Sequence, residues 1–301
     1  MNIWIDSRSL ASGEEAWLLP GAIYGLQRLN EMNYPLAADT GSLTDHQRAI
    51  LEHEGIVFGE FSRDEADLVL SSNQEALVLK RVASGSDSTP AATGSDWNTL
   101  IHAFLFPQRK VARERKTGET DISIRLNLDG TGQSEIDTGL KFFDHMLDQI
   151  ARHGLVDLAI RCRGDLEIDE HHTIEDVAIT LGEAIWEVCG KDKTGIQRYG
   201  FLLPMDESQA EVALDLSNRP YLVWDVEFHR EYAGDFPLDM AEHFFHTLAM
   251  NLRATLQIRA SGRNDHHKLE AIFKGFARAL RFAVTRTERS RGILPSSKGK
   301  L

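Results

Sequence analysis

Two stretches of the sequence repeat one unusual pattern, in which two adjacent histidines are followed by a glutamate at the third position after them. The pattern reads DEHHTIED at His171 and NDHHKLEA at His266, ninety-five positions later. In both copies an amphipathic run follows, with apolar residues at helical spacing. Residues four apart lie on one face of a helix, so the first histidine and the glutamate of each copy are predicted to point together. The second histidine is turned by about 100° and faces elsewhere.

Each copy is preceded by an amphipathic stretch that carries a further histidine, in FDHM and in AEHF. Imidazole and carboxylate groups without sulfur suit a divalent transition metal such as manganese, iron, cobalt or zinc. A lone His-His-x-x-Glu would more often be a solvated helix start, but its repetition together with an upstream histidine favours a metal site. The candidate ligands are His145, His171, His172, Glu175, His243, His266, His267 and Glu270.

Eight ligands are too many for one ion and suit two ions that keep open positions. Adjacent histidines that face different ways favour two sites, each with ligands from both copies. One arrangement of this kind surrounds the first metal with His145, His171, Glu175 and His267. The second metal is then surrounded by His172, His243, His266 and Glu270.

The composition of the chain excludes several functional classes. Its 301 residues are 42% hydrophobic and 26% charged, as in ordinary globular proteins. The net charge of -13 argues against general binding of nucleic acid or of an anionic membrane, although it is compatible with a local basic pocket. Cys162 and Cys189 form no Cys-x-x-Cys pair, which argues against a thiolate metal site and fits a reducing compartment. Without a secretory signal or a membrane-spanning segment, the sequence predicts a cytoplasmic protein.

The first hundred residues alternate strand-like and helix-like segments. The predicted strands are NIWID, PLAAD, DLVLSS and ALVLK, and the predicted helices are GAIYGLQRLNEMNY and TDHQRAILEHEG. This alternation predicts a small α/β unit with a parallel sheet. The stretch Ala83–Asp96, rich in Ser, Gly, Thr and Pro, then predicts a loop or linker.

The rest of the chain predicts one order of elements written twice: hairpin, helix, strand, helix. The first copy, residues 117–190, has a hairpin signal at DGTG and a helix closed by Gly154. The second copy, residues 208–288, has its hairpin turn at SNRP. The fold class is therefore predicted to be α+β, with a duplicated unit preceded by a small Rossmann-like α/β unit. The predicted domains are residues 1–108 and 109–301.

From Thr117 to the C-terminus, the sequence resembles the imidazoleglycerol-phosphate dehydratase family. The stretches that carry the resemblance are TGLKFFDHMLDQIARHG, DEHHTIEDVAITLGEA, RYGFLLPMDE, DLSNRP, NDHHKLEAIFKGFARAL and LPSSKG. The resemblance implies a duplicated fold of the ribosomal S5 domain 2 type and two manganese ions per active site, bound by the histidines and glutamates above. It also implies a homo-oligomer, in which trimers associate into a 24-subunit assembly with active sites between subunits.

The family's activity is a hydro-lyase reaction of histidine biosynthesis, the dehydration of imidazoleglycerol phosphate to imidazole-acetol phosphate. The proton to be removed lies on a carbon without an adjacent carbonyl, so the imidazole ring of the substrate is the electron sink, and two metals suit its two nitrogens. The resemblance implies Glu119 as the general base, with His171 and His267 in the catalytic set, and Asp206 as a weaker candidate for a polar contact. The resemblance also implies the residues that bind the phosphate of the substrate: Arg198, Arg219, Lys274, Ser296 and Lys298.

The N-terminal region resembles, more weakly, the phosphatase half of bifunctional dehydratase/histidinol-phosphatases, which belongs to the haloacid dehalogenase superfamily. That half carries Asp-x-Asp-x-Thr after its first strand, whereas this chain reads IDSRSL. Asp6 stands at the position of the nucleophile, but Arg8 replaces the second aspartate and can neither donate a proton at neutral pH nor help to bind magnesium. The region is therefore predicted to be a degenerate remnant without phosphatase activity.

Two other functions are compatible with a site for two metals. A metal-dependent hydrolase would use the ions to activate water. A metal-storage or structural assembly would use them only to join subunits. An assay of dehydratase activity with and without manganese separates the three functions.

Overall fold

The structure of the chain, a computed structural model, describes residues 1–11, 17–73, 76–82, 90–189, 193–287, 289–290 and 292–299. The chain forms two compact units, Met1–Pro107 and Gln108–Leu301. Each unit has its own hydrophobic core. No helix in these described ranges is long and apolar enough to cross a membrane.

In its described residues the N-terminal unit contains one five-stranded sheet, three α-helices and two short 3-10 helices. Its elements are β1 (Ile3–Ile5), α1 (Ala22–Glu31), β2 (Leu36–Ala38), α2 (Asp45–His53), β3 (Leu68–Ser72), β4 (Leu77–Arg81), β5 (Ala92–Gly94) and α3 (Trp97–Leu105). The strand order is β2-β1-β3-β4-β5. Trp97 is fully buried in the core of this unit and donates a hydrogen bond from its indole nitrogen to the carbonyl of Ser9 at 2.6 Å.

The sheet of the N-terminal unit differs from the predicted parallel sheet. β1 pairs in parallel with β2 and β3, but β3, β4 and β5 pair antiparallel. The four residues between β3 and β4 are too few for a parallel crossover, so the two strands form a hairpin. The predicted linker Ala83–Asp96 is also only partly supported, because β5 lies within it and residues 83–89 are outside the described ranges.

The described part of the C-terminal unit contains two four-stranded sheets with the same pattern of pairing and one two-stranded sheet. Its first half contains β6 (Lys110–Lys116), β7 (Thr120–Asn127), β8 (Ser134–Asp137), α4 (Lys141–Gly154), β9 (Asp157–Gly164) and α5 (His171–Val188). Its second half contains β10 (Tyr199–Met205), β11 (Ser208–Asp215), β12 (Tyr221–Asp225), β13 (Tyr232–Ala233), β14 (Phe236–Pro237), α6 (Met240–Leu252), β15 (Thr255–Ser261) and α7 (Asp265–Val284). The sheet orders are β6-β7-β9-β8 and β10-β11-β15-β12. In each four-stranded sheet two antiparallel pairings are followed by one parallel pairing.

The two hairpins predicted at DGTG and SNRP are wrong. β9 lies between β7 and β8, and β15 lies between β11 and β12. Asp157, the first residue of β9, accepts hydrogen bonds from the backbone of Thr131 and Gln133 and so holds the DGTG loop against β9. The loop comes so close that a Cβ at Gly130 would lie 2.4 Å from Asp157. The true hairpins join β6 to β7 and β10 to β11.

The four long helices pack in pairs that combine the two halves. α4 of the first half packs against α7 of the second, and α5 of the first half packs against α6 of the second. The apolar faces of these helices meet in one core, where Phe143, Phe244 and Phe273 form edge and stacked contacts. α4 ends at Gly154, as predicted. The residue with the left-handed backbone conformation is the following one, Leu155, whose φ is 51°. This packing decides which ligand candidates meet.

A charged cluster ties the loop after β7 to the end of α7. The Asp129 carboxylate accepts hydrogen bonds from the Arg109 backbone and guanidinium at 2.8–3.0 Å and from Arg286 at 3.0 Å. Burial opposes ionisation of Asp129, but these hydrogen bonds and charges outweigh it and hold its pKa below the usual value. Because the folded-state pKa is lowered, the cluster stabilises the fold above the unfolded pKa, and the stabilisation is lost as the pH falls through the folded pKa.

We expect Asp129→Asn to lower the free energy of unfolding by about 2–3 kcal/mol at pH 7, since it leaves a half-buried Arg109 without its charged partner. The difference from the unsubstituted protein should shrink as the pH falls below about 4, where the Asp129 carboxyl of the unfolded chain takes up a proton, and should be lost below the lowered pKa of the folded state. Urea unfolding at both pH values measures this. Asp121→Asn, which removes the exposed Lys116–Asp121 pair, is the control and should cost less than about 1 kcal/mol. Equal losses in the two variants would contradict the role of Asp129.

Candidate metal centre

One group of ligand candidates forms where α4 packs against α7. It contains His145 on α4 with His266 and Glu270 on α7. Glu270 Oε2 lies 3.2 Å from His266 Nε2 and 4.0 Å from His145 Nε2. Burial opposes ionisation of Glu270, but its hydrogen bond and ion pair with Lys274 outweigh that effect and lower the pKa of the carboxyl. The group therefore presents an anionic carboxylate and two imidazoles.

A second group forms where α5 packs against α6. It contains His171 and Glu175 on α5 with His243 on α6. Glu175 lies 3.8 Å from His171 Nε2 and 3.2 Å from His243 Nε2. In both groups, therefore, the first histidine and the glutamate of one copy meet the upstream histidine of the other copy. That each metal site mixes ligands from the two copies stays a prediction, which these two groups make geometrically feasible.

The particular division of ligands that the sequence favours is wrong within one chain. It places His145 with His171, and His243 with His266, whereas the structure places these histidines in different groups. The physical reason is the helix pairing, because α4 packs against α7 and α5 against α6. A histidine on α4 therefore meets the helix that carries the second His-His-x-x-Glu copy.

The second histidine of each pair, His172 or His267, belongs to neither group among the residues described. A carboxylate orients each ring: His172 Nδ1 lies 3.0 Å from Asp165, and His267 Nδ1 lies 2.9 Å from Glu207. These hydrogen bonds raise the pKa of both histidines, and the bond to His267 lowers the pKa of Glu207 to about 2. Metal-bound histidines are commonly held in this way, with Nδ1–H on a carboxylate and Nε2 left for the metal.

The donor atoms of the two groups fit a divalent transition metal. In each group two imidazole nitrogens and a carboxylate oxygen lie within 4.8 Å of one another. His243 Nε2 is buried and makes no hydrogen bond to the described residues, although it faces Glu175. A buried nitrogen lone pair without a donor is costly unless a cation or a proton satisfies it. Nitrogen and oxygen donors without sulfur suit manganese, iron, cobalt or zinc.

Two of the residues assigned to phosphate lie together. Arg198 precedes β10 and Arg219 lies between β11 and β12, and both guanidinium groups contact Asp215 at the end of β11. Their planar N–H donors match the oxygens of a phosphate. The arginine pair is thus a candidate anion site held by one carboxylate.

The other residues assigned to phosphate have different neighbours. Lys274 Nζ lies 2.6 Å from Glu270, so this lysine lies beside the α4–α7 group. Ser296 and Lys298 lie in the C-terminal segment, where the Lys298 backbone donates to Ser296 Oγ at 3.2 Å.

Glu119 lies in the turn between β6 and β7, with Oε1 3.8 Å from His172 Nε2. Asp206 has the corresponding place in the turn between β10 and β11, 3.8 Å from His267 Nε2. Sequence reasoning missed Asp165 and Glu207, which orient the two rings. Asp165 lies in the loop between β9 and α5, and Glu207 lies in the turn between β10 and β11, so the folded arrangement is needed to show that they reach the histidines.

Comparisons with known proteins show similarity to one enzyme family. Residues 138–280 match the model of a family described as imidazoleglycerol-phosphate dehydratase. The histidine biosynthesis bifunctional protein HisB of Spirosoma linguale is 53% identical over 206 residues, which are 68% of this chain and 54% of that protein. The imidazoleglycerol-phosphate dehydratase of Neisseria gonorrhoeae is 51% identical over 195 residues, 64% of each chain.

A solved structure is also similar. The imidazoleglycerol-phosphate dehydratase of Pyrococcus furiosus is 37% identical with a TM-score of 0.54, and the match covers 63% of this chain and all of that one. The chain spans little more than half the length of the bifunctional protein from Spirosoma linguale. The residues that match the family model, 138–280, lie in the C-terminal unit.

Proposed function

Because the chain belongs to the imidazoleglycerol-phosphate dehydratase family, we propose that it dehydrates D-erythro-imidazoleglycerol phosphate to imidazole-acetol phosphate in histidine biosynthesis. The observation that carries the proposal is the pair of mixed groups, each with two imidazoles and one carboxylate. A substrate whose ring has two nitrogens is suited to a site with two metals. The reaction class is that of a hydro-lyase.

The proposed cofactor is Mn²⁺, with two ions per active site. His145, His266 and Glu270 hold one ion, and His171, Glu175 and His243 hold the other. The donor set supports this assignment, as does the buried His243 Nε2, which lies 3.2 Å from Glu175 but makes no hydrogen bond to the described residues. When bound, the ions supply Lewis acidity that favours the deprotonated imidazole ring and orients it.

His172 and His267 are proposed as the remaining ligands, contributed to the sites of a neighbouring copy of the chain. Both rings are held by a carboxylate at Nδ1, and neither Nε2 belongs to a ligand group of the described chain. Under this proposal the active protein is a homo-oligomer, in which trimers assemble into a 24-subunit particle, as the family resemblance implies. His267 thus belongs to the catalytic set together with His171.

Glu119 is proposed as the general base. Its carboxylate removes the proton from the carbon of the substrate and returns a proton to the hydroxyl that leaves the neighbouring carbon, so that one water is formed, the base is regenerated and the resulting enol becomes the ketone of the product. Its place 3.8 Å from His172 Nε2 puts it beside a proposed ligand. A base must lie within hydrogen-bond reach of the proton that it removes, directly or through one water.

The residues proposed for the substrate phosphate are Arg198, Arg219, Lys274, Ser296 and Lys298. We expect Arg219→Ala and Lys298→Ala to raise KM by about tenfold or more while kcat stays within a few-fold, because phosphate binding is the same in ground state and transition state. Steady-state kinetics measures both constants. Arg259→Ala, which removes an exposed arginine on β15, is the control. A loss confined to kcat in either phosphate variant would contradict the assignment.

The activity is tested with the full chain and imidazoleglycerol phosphate, after removal of metals and after return of Mn²⁺. Dehydration that depends on Mn²⁺ supports the proposal. Phosphate release from phosphomonoesters instead would favour a metal-dependent hydrolase. Metal-dependent assembly without turnover would favour a structural or storage role.

The two halves of the C-terminal domain, residues 109–301, are proposed to be copies of one unit of the ribosomal S5 domain 2 type. Their sheets share one order of pairing, and their helices carry equivalent ligands. The copies correspond to residues 117–190 and 208–288, extended by the strands β6 and β10. Duplication explains why the metal groups are related by exchange of the two copies.

Residues 1–108 are proposed to be a degenerate haloacid dehalogenase-like region without phosphatase activity. The Asp6 carboxylate accepts a hydrogen bond from the Arg8 backbone at 3.0 Å and caps the short helical turn Ser7–Ser9. An aspartate used in this way, next to a permanent positive charge, lacks the acid that protonates a leaving group.

We expect no histidinol-phosphate phosphatase activity from the purified protein with added Mg²⁺, since the loss of general acid catalysis alone costs about 10²–10⁴-fold. A chain that begins at Arg109 should keep dehydratase activity. Phosphate release and dehydration are measured on the same preparations. Magnesium-dependent phosphate release that disappears in Asp6→Asn would contradict the prediction.

A further inference from the structure

Asp215 lies between the two arginines of the candidate anion site. Its Oδ2 atom accepts hydrogen bonds from Arg198 Nε at 2.7 Å and from Arg219 Nη2 at 3.3 Å. The Asp215 side chain is 21% exposed, whereas each arginine side chain is 61% exposed. The carboxylate is thus the inner member of the cluster, and the guanidinium groups are its outer members.

Three hydrogen bonds from neighbouring side chains hold the loop that carries Arg219. The buried Lys193 donates from Nζ to the Leu216 carbonyl at 3.0 Å, and Thr255 Oγ1 donates to the Arg219 carbonyl at 2.8 Å. The indole nitrogen of Trp186 donates to the Asn218 side chain at 3.3 Å. Each of these contacts fixes a different point of the loop, so the backbone beneath the arginine pair is held in place.

The cluster carries a net positive charge, which favours the binding of an anion. Two arginines and one aspartate carry a net charge of about +1. Asp215 accepts from Arg198 Nε and Arg219 Nη2, and the other N–H groups of the two guanidinium groups make no hydrogen bond to the described residues, which leaves them able to donate to an oxyanion. Two exposed guanidinium groups without the carboxylate would repel each other and sample many rotamers.

We infer that Asp215 is a positioning residue, which holds Arg198 and Arg219 in the orientation that binds the phosphate end of the substrate. The inference rests on the proposed function, because it assumes that this arginine pair receives the substrate phosphate. Asp215 itself touches neither the phosphate nor the reacting atoms. It acts through the arginines by reducing the rotamer entropy that binding must otherwise overcome.

The test is Asp215→Asn in the full chain loaded with Mn²⁺, assayed with imidazoleglycerol phosphate and with inorganic phosphate as the competing ligand. We expect KM and the inhibition constant of phosphate to rise together by roughly tenfold, while kcat stays within about twofold. Asp215→Glu, which keeps the charge, should recover part of the loss. A change in folding alone would not raise the two constants in the same ratio at constant kcat.

A double-mutant cycle shows whether Asp215 acts through Arg219. In the Arg219→Ala background, Asp215→Asn should change KM by less than about threefold, because much of what Asp215 positions is already absent. The matched control is Asp225→Asn, which breaks the exposed Asp225–Arg259 pair of the same sheet and should leave KM unchanged.

Three outcomes would overturn the inference: an unchanged KM in Asp215→Asn, a lower KM, or fully additive effects in the cycle. A lower KM would show that Asp215 competes with the phosphate for the arginines. If Arg219→Ala itself leaves KM and phosphate inhibition unchanged, the placement of the phosphate in the proposed function fails instead. The single and double variants therefore distinguish the two failures.

Discussion

His145→Ala and His266→Ala should remove the same metal ion, and each should lower kcat/KM by at least about a thousandfold. The two imidazoles converge on Glu270, so the loss of either leaves an incomplete ligand set. Metal-ion catalysis contributes several kcal/mol to transition-state stabilisation, and each step of about 1.4 kcal/mol is tenfold in rate. His171→Ala and His243→Ala should remove the other ion by the same reasoning.

Elemental analysis of the assembled protein, with dehydratase kinetics on the same samples, measures this effect. The double variant His145→Ala/His266→Ala should lose no more metal than either single variant, since the two residues serve one ion. His246→Ala is the control, because His246 is exposed one turn after His243 on α6 and should leave both ions in place. If His145→Ala kept both metal ions at full occupancy, the grouping of His145 with His266 and Glu270 would be contradicted. If His145→Ala and His171→Ala lost the same ion, the result would favour the assignment of ligands that the sequence suggests.

The sequence predicts the ligand residues better than their grouping. Helical periodicity locates the four long helices and the faces that carry His171 with Glu175 and His266 with Glu270, because these are relations within one turn of one helix. The partner histidine of each pair comes from a different helix. That partner depends on how α4, α5, α6 and α7 pack, and no local pattern encodes the packing.

The wrong hairpins have a similar cause. Alternating residues on either side of a turn signal predict two strands, but they cannot show whether a third strand lies between them. Here β9 and β15 come from later in the chain and separate the expected partners. The carboxylates that orient His172 and His267 lie outside the repeated motif for the same reason, since Asp165 and Glu207 reach the rings only in the folded sheet arrangement.

Glu119→Gln should lower kcat by about 10²–10⁴-fold, the usual contribution of a general base. Glutamine keeps the shape of the side chain but cannot accept the proton of the substrate. KM should change little, because the phosphate contacts remain. Since Glu119 lies outside both ligand groups of the described chain, metal content should also remain at the level of the unsubstituted protein. Kinetics and elemental analysis of one preparation separate this effect from metal loss.

The matched control for Glu119 is Glu114→Gln on the same hairpin, where the side chain lies on the exposed face of β6. That variant should retain full activity, which would show that the effect belongs to the position in the turn and not to the charge of the hairpin. Asp206→Asn at the corresponding turn of the second half gives a further comparison, since Asp206 lies at the same 3.8 Å from its histidine. If Glu119→Gln kept kcat within a few-fold of the unsubstituted protein while Asp206→Asn lost it, the base would belong to the second half of the unit.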